Sequence, residues 1–342
     1  MDDILIPDEL YNQLKNNSCG PMKFGSIMLY GQAVQEAEEH ESCTVYHLKN
    51  SSGVGDITVY PVFPGVELIY NDLHLRYCDP PATDQRQIIE INHCQLGRYE
   101  CNFRKQDYCY MEAGDFSLSS SLDKKCSHCF PLNHYHGISI TIDLSQLDSQ
   151  TLKLMEFLSI DLKYIRSLID NRSCFILRAN EMIKHIFSEL YTVRENIKFG
   201  YIKVKVLELF LMLTDLQPTE TEIDRPYFSK PQIDSVKAVH DFILDHIDEH
   251  YTLEQLAEKF EISPTVMKKC FKCVYGDSVY AYLKKCRLEI AARLLAENEK
   301  SIGDIAVSIG YSNPAKFASA FKQEYKLSPS EYKKQEWERR NG

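Results

Sequence analysis

No stretch of this 342-residue chain stays apolar for the roughly 18–20 residues that a membrane-crossing helix needs. The opening residues, MDDILIPDELYNQLK, lack both the basic start and the apolar middle of a secretory signal, so a cytoplasmic protein is expected. There is no phosphate-cradling glycine loop, no kinase motif set and no nucleophile elbow, which removes several large enzyme classes. Positive charge is also in deficit: 39 Lys and Arg stand against 49 Asp and Glu, a net charge of −10. Taken as a sum, that argues against a nucleic-acid partner, but distribution matters more. Residues 231–342 carry 17 basic and 17 acidic side chains, leaving 22 and 32 for residues 1–230. The deficit belongs to the first two thirds, and the last third is neutral and locally basic.

Hydrophobic residues make up 44% of the chain and charged residues 26%, enough for packed cores and too apolar for wholesale disorder. At roughly 100–200 residues per domain, two domains are expected. The twelve cysteines are scattered, and without an export signal they read as reduced thiols. Cys270 and Cys286 fall on helical patterns as core or boundary residues.

Short runs rich in Val, Ile, Tyr and Thr recur at 44–48, 57–62, 66–73, 88–93, 97–103, 108–111, 116–119 and 137–143. Turn residues such as Pro64-Gly65 and Ala113-Gly114-Asp115 separate them. Many short strands at regular spacing indicate a sandwich or barrel, here a jelly-roll or cupin-like β barrel. Residues 8–15 suit a short helix, and the acidic run 36–41 reads as a solvated face or loop. From 146 the period becomes helical, over 147–158, 179–193 and 202–216. Apolar residues cover more than one stripe of the last of these, so it must be covered by the β domain, a partner subunit or both. A polar, proline-marked stretch near 217–226 is the best domain boundary. The expected organisation is α+β: a β domain over 1–145, helical segments over 146–217, a linker over 218–230 and an all-α domain over 231–338.

That last domain contains a repeat. LAEKFEISPTVMKKCFK at 256–272 aligns with IAVSIGYSNPAKFASAFK at 305–322, with one extra residue at Asn313. Each copy reads as a helix, a tight turn and a second helix. Thr252 with Gln255 forms a capping box, Ser263 and Ser301 cap helices, Pro264 suits a first helical position, Gly276 a left-handed stop and Gly310 the turn. Between the copies, 279–297 repeats apolar residues at helical spacing. Nineteen residues at 1.5 Å each make a rod of about 28 Å, close to one turn of DNA at about 34 Å. Such a rod can present two recognition helices to successive major-groove segments. The outward residues are Thr265, Lys268, Lys269 and Lys272 in the first copy, and Asn313, Ala315, Lys316, Ser319 and Lys322 in the second. Lysines suit phosphates or guanine edges, Asn, Ser and Thr suit bases or phosphates, and Ala suits a thymine methyl. Taken alone, lysines on a helix are usually a solvated face; the duplication and the rod favour DNA contact.

At this point the chain resembles the AraC/XylS family of bacterial transcription regulators, most strongly over 236–334. IGDIAVSIGYSNPAKFASAFKQEYKLSPSEYKK is similar to that family's second helix-turn-helix, including Ala306, Gly310-Tyr311, Phe317, Phe321-Lys322, Pro329 and Tyr332. LEQLAEKFEISPTVMKKCFK with Gly276 is similar to the first, and LKKCRLEIAARLL, with Arg287 and Ala291-Ala292, to the linker helix. One departure is Lys326-Leu327, where relatives often carry Gly before the Ser/Thr-Pro pair, which predicts a different local turn. In its first half, Pro64-Gly65-Val66-Glu67, INHCQLGRYEC and HYHG resemble the branch that includes pyochelin-type regulators. The resemblance implies a dimeric, effector-responsive activator with promoter DNA and RNA polymerase as partners.

For the effector, His93, Arg98, Glu100, His134 and His136 are the candidates, with His93, Arg98, Glu100 and the adjoining Tyr99 at the mouth of the barrel. Ordinary strand and turn polar residues are the plainer reading, and Cys94 and Cys101 as oxidant sensors a further one. Cys126-x2-Cys129 followed by His134 and His136 has zinc-type ligands, but the spacing is short and the histidines alternate across a strand. Neither a metal nor a cofactor is expected, and no enzymatic activity. A metal-dependent cupin enzyme using His134 and His136 with Glu90, His93 or Glu100, and an adaptor whose helices bind protein, remain as alternatives.

Overall fold

The computed structural model describes residues 30–78, 88–102, 107–120, 128–169, 174–217 and 226–341. The helix expected at 8–15, Cys19, Cys126 and most of the 218–230 linker lie outside them. The chain divides into two compact units, one ending at Tyr227 and one beginning at Phe228.

The first unit is built on antiparallel strands. These are β1 (Val34–Glu39), β2 (Thr44–Asn50), β3 (Gly53–Phe63), β4 (Val66–His74), β5 (Tyr77–Cys78), β6 (Ile88–Gly97), β7 (Tyr99–Asn102), β8 (Asp107–Met111), β9 (Asp115–Ser120), β10 (His128–Cys129), β11 (Tyr135–Asp143) and β12 (Cys174–Arg178). The larger sheet runs β1-β2-β3-β4-β11-β6-β9-β12. A smaller sheet pairs β8 with β7, β7 with β10 and β10 with β5. Period-two alternation sends the two faces of the larger sheet to different cores. Ile57, Val59, Ile69, Leu73, Cys94 and Tyr135 meet Cys101, Cys109 and Met111 of the smaller sheet. Leu68, Ile89, Ile91, Ile138 and Ile140 face the other way, onto helices.

Those helices are α1 (Ser149–Phe157), α2 (Leu162–Ser167), α3 (Glu181–Thr192) and α4 (Lys198–Thr214). Asp148, Asp161 and Asn180 cap the first three by accepting N–H bonds of the first turn. Phe187 and Leu190 of α3 and Val206, Leu209, Phe210 and Leu213 of α4 close over the sheet. Lys205, half-way along α4, is buried and ion-paired to Glu189 and Glu208.

Three expectations change here. Among the described residues no closed barrel forms: the larger sheet ends at β1 and β12. The acidic run is no loop but edge strand β1, whose five residues after Val34 are exposed; exposed carboxylates keep such an edge from further pairing. Strand β12 comes from inside the segment expected to be helical, pairing with β9 from Cys174↔Ser119 to Arg178↔Asp115.

The second unit is helical: α5 (Lys230–Asp245), α6 (Leu253–Lys259), α7 (Pro264–Tyr275), α8 (Val279–Glu297), α9 (Ile302–Ser308), α10 (Pro314–Tyr325) and α11 (Pro329–Asn341). Among the described residues, no helix of the chain is long and apolar enough to cross a membrane.

Candidate nucleic-acid interface

The two repeated units are set by their ends. Thr252 Oγ1 accepts the Gln255 N–H at 3.1 Å while Gln255 Oε1 accepts the Thr252 N–H at 2.8 Å, the reciprocal box that starts α6. Ser301 starts α9 by accepting the Asp304 N–H. The turn between the paired helices is left-handed in both copies, at Glu261 (φ 51°) and at Gly310 (φ 84°). Only the second requires glycine. A Cβ on Gly310 would sit 2.7 Å from the Asp248 carbonyl and 2.8 Å from Arg287 Nη2.

After the second helix of each copy the pattern recurs with the residues exchanged. Gly276 (φ 88°) and Lys326 (φ 62°) are both left-handed, and their N–H groups donate to the Lys272 and Lys322 carbonyls at 2.9 and 3.0 Å. The turn at Lys326-Leu327 therefore keeps the conformation of the first copy, against the expectation of a different one. The helix stop is dictated by the carbonyls it must satisfy, whichever residue stands there.

The core side of each unit is apolar. Leu256, Ala257, Met267, Cys270, Phe271 and Val274 are buried in the first; Ile305, Ala306, Ile309, Phe317 and Phe321 pack with Leu288, Ala291, Ala292 and Leu295 in the second. Thr265, Lys268, Lys269 and Lys272 on α7, and Ala315, Lys316, Ser319 and Lys322 on α10, are left exposed. Asn313 is exposed too, but its side-chain oxygen accepts the N–H groups of Ala315 (2.8 Å) and Lys316 (3.3 Å). It is the cap of α10 and the counterpart of Ser263, so its outward position comes with a capping role: the extra residue of the second copy shifts the cap by one.

Between the copies α8 runs 19 residues, and polar contacts hold it near its start and at its middle. Arg287, 7% exposed, donates to the Ile247 carbonyl (2.8 Å) and the Glu249 carbonyl (2.7 Å) beyond α5. His240 of α5 stacks on Tyr275 with ring centroids 4.2 Å apart, and its Nε2 lies 3.0 Å from the Tyr282 hydroxyl. The clasp made by Arg287 escaped the sequence reading, although a guanidinium on the apolar side of LEIAARLL was a visible signal: a buried charge must find acceptors. Burial also pushes the thiols of Cys270 and Cys286 up, to about 12 and about 11. They stay protonated, as packing residues do.

The five effector candidates of the first unit do not converge. His93 points to the helices, stacked on Phe187 at 4.1 Å with Nδ1 3.0 Å from the Tyr191 hydroxyl. Burial lowers its pKa from 6.5 to about 4. Arg98 donates to Glu112 at 3.0 Å, and Glu100 accepts from the Tyr110 hydroxyl at 2.6 Å. His134 is tied to the Leu132 carbonyl at 3.0 Å, and His136 lies on the outer face of the sheet beside Asp72. A narrow cavity instead opens between the sheets, lined by Tyr30, Asn71, Glu90, Asn92, Tyr99, His128, Tyr135 and Ser139 among others. None of the five lines it, because strand alternation turns Asn92 inward where it turns His93 out. Its hydroxyls are bonded: Tyr30 donates to Asn71, Tyr135 to Asn92 at 2.6 Å, and Tyr99 meets His128 Nδ1. Burial pushes all three tyrosines upward, so they remain neutral donors. Period-two reading of 88–97 could have separated Asn92 from His93; that Tyr30 and His128 of β10 share the same cavity had no local signal.

A family model described as a helix-turn-helix domain matches residues 256–335. An uncharacterised HTH-type transcriptional regulator of Haemophilus influenzae is 38% identical over 92 residues, 27% of this chain and 31% of that protein. Regulatory protein SoxS of Salmonella typhimurium is 29% identical over 98 residues, 29% of this chain and 92% of that protein. A Streptomyces lividans protein described as an AraC-like transcription regulator is 32% identical over 84 residues, 25% of this chain and 28% of the relative. The matched stretch thus spans less than a third of the Haemophilus and Streptomyces relatives and nearly the whole of the Salmonella one. Over residues 256–335 the second unit is therefore similar to the helix-turn-helix domains of transcription regulators, AraC-like ones among them.

Proposed function

We propose that the chain regulates transcription by laying α7 and α10 into successive major-groove segments of promoter DNA, and that its first unit pairs two copies and receives a signal. The observation that carries this is the division of each recognition helix. Its apolar face is buried around Met267, Phe271 and Val274, or Phe317 and Phe321, while Thr265, Lys268, Lys269 and Lys272, or Ala315, Lys316, Ser319 and Lys322, are exposed. The richer lysine set on α7 supplies most of the phosphate attraction; the small and polar set on α10 is suited to base edges and thymine methyls.

In this reading residues 1–145 are the signal-receiving unit, an opened cupin-like sandwich, and 146–217 provide the pairing helices. Residues 218–230 connect them to the DNA-binding unit at 231–338. Pairing is supported by the outer side of α4 and the turn before it. Ile197, Val204 and Leu211, spaced by seven, are 53%, 62% and 41% exposed, a seam suited to a second copy of the same helix. An effector would enter between the sheets, where polar groups converge. Activation through contact with RNA polymerase is the direction that family likeness favours. Catalysis has no place in this reading, and the cytoplasm is where it operates.

Footprinting and affinity measured across salt concentrations test the proposal. Lys268→Ala and Lys269→Ala should each weaken binding and lower the slope of log K against log salt by about 1. Unchanged affinity and slope would take both residues out of the interface.

A further inference from the structure

On the outer face of the larger sheet, beyond the helical cover, three metal-ligating side chains converge. Asp72 and His74 stand two residues apart on β4, on the face that carries Leu68 and Tyr70 inward to the helices. His136 on β11 is directly opposite Asp72 in the register. Asp72 Oδ1 lies 3.2 Å from His136 Nδ1 and 3.1 Å from His74 Nε2. The two imidazoles meet edge to face with centroids 5.4 Å apart, and one ligand atom from each of the three residues lies within 4.8 Å of the other two. We infer that Asp72, His74 and His136 bind a divalent transition-metal ion, zinc or its near neighbours, with at least one coordination position open to solvent.

The geometry asks for little movement. Zinc takes imidazole nitrogen and carboxylate oxygen at about 2.0–2.2 Å in a tetrahedron, which puts neighbouring ligand atoms about 3.3–3.5 Å apart. Both Asp–His separations already match, so the ion needs only that the histidines close towards each other. Two imidazoles and one carboxylate favour zinc, cobalt, nickel or copper over magnesium and calcium, which prefer oxygen.

The site also stands on regular hydrogen-bonded backbone, near the end of β4 and the start of β11. Its ligands sit on paired central strands, and a register irregularity against β6 falls between His136 and Gly137, the kind of bulge that re-aims a side chain. A second feature favours a cation. Asp56 of β3 is directly opposite Asp72, and like charges facing across an antiparallel pair are unfavourable. An ion on Asp72 neutralises one of the two, while His47, with Nδ1 2.7 Å from Asp56 Oδ1, pairs with the other.

Among the described residues Cys129 and a ligand set inside the sandwich take no part, and Cys126 lies outside them. The residue of the HYHG segment that turns into the interior is Tyr135, and the one that serves the ion is His136. An occupied site would tie β4 to β11 two residues from Tyr70, whose hydroxyl donates to the Leu190 carbonyl of α3 at 2.7 Å.

The test uses the full chain, stripped with chelator, its thiols blocked by alkylation, then titrated with cobalt(II) and with zinc. The expected result is one equivalent bound, with cobalt showing the d–d absorption of a low-coordinate nitrogen and oxygen site and no thiolate charge-transfer band. His74→Ala and His136→Ala should each weaken that binding by more than about tenfold, since even loss of an outer-shell partner costs 10–100-fold in metal sites. Asp72→Asn, which keeps shape and hydrogen bonding, should do the same. All three side chains are exposed or half-exposed, so metal-free melting temperatures should stay at the parent value. Equal stoichiometry and affinity in the parent and all three variants, or no binding by the alkylated parent, would overturn the site.

Discussion

A single imidazole shows how burial becomes pH dependence. His93 is 5% exposed between Phe187 and Tyr191, and desolvation lowers its pKa from 6.5 to about 4. The folded protein thus refuses a proton that the unfolded chain accepts below 6.5. The stability this contributes is whole above 6.5 and is lost as pH falls towards 4, by up to about 3 kcal/mol. Melting temperature of the first unit followed from pH 7.5 to pH 4 should decline through that window, and His93→Gln should flatten the decline. A parallel decline in the variant would assign the acid sensitivity elsewhere.

Among the elements, helix ends decide more than helix middles. The two copies use left-handed residues at equivalent places, yet Glu261 and Lys326 stand where Gly310 and Gly276 stand in the other copy. A residue with a Cβ costs roughly 1–2 kcal/mol in that region. Lys326→Gly should therefore stabilise the second unit by up to about 1 kcal/mol, read as a raised melting temperature, because the backbone strain removed outweighs the exposed bond from Lys326 Nζ to the Gln323 carbonyl. Gly310→Ala should lower it by about 1–3 kcal/mol, since the new methyl meets the Asp248 carbonyl and Arg287. No change in either variant would mean that these turns relax freely.

Much at this scale was legible beforehand. Apolar spacing located α8 at its observed ends, and Thr252, Ser263, Ser301 and Gly276 announced their helix boundaries because capping is local chemistry. At Asn313 the capping role was not legible, because an amide suits a cap as well as a base and the one-residue insertion obscures its equivalence to Ser263. Strand β12 was missed because 174–178 is short, apolar and set among helices, so only its partner β9 identifies it.

For the whole molecule, charge and shape divide the labour. The acidic excess lies in residues 1–230 and the second unit is neutral, so attraction to DNA must come from local lysines and not from a net field. A fragment spanning 226–341 should therefore keep the salt slope per site of the full chain. On paired sites it should bind about 10²–10⁴-fold more weakly, because it lacks the pairing face proposed on α4. Equal affinity of fragment and chain would remove the first unit from dimerisation.

The amino-acid order alone determined the duplicated helical reader, its joining rod and the outward lysines, because periodicity, caps and turns are set by residues within a few positions of one another. Only the tertiary structure decided which polar residues of the first unit share a space. It set Asn92 and Tyr135 inside the sandwich, His93 under the helices and His136 beside Asp72 and His74. Strand register joins residues more than sixty positions apart, and a shift of one residue exchanges the faces.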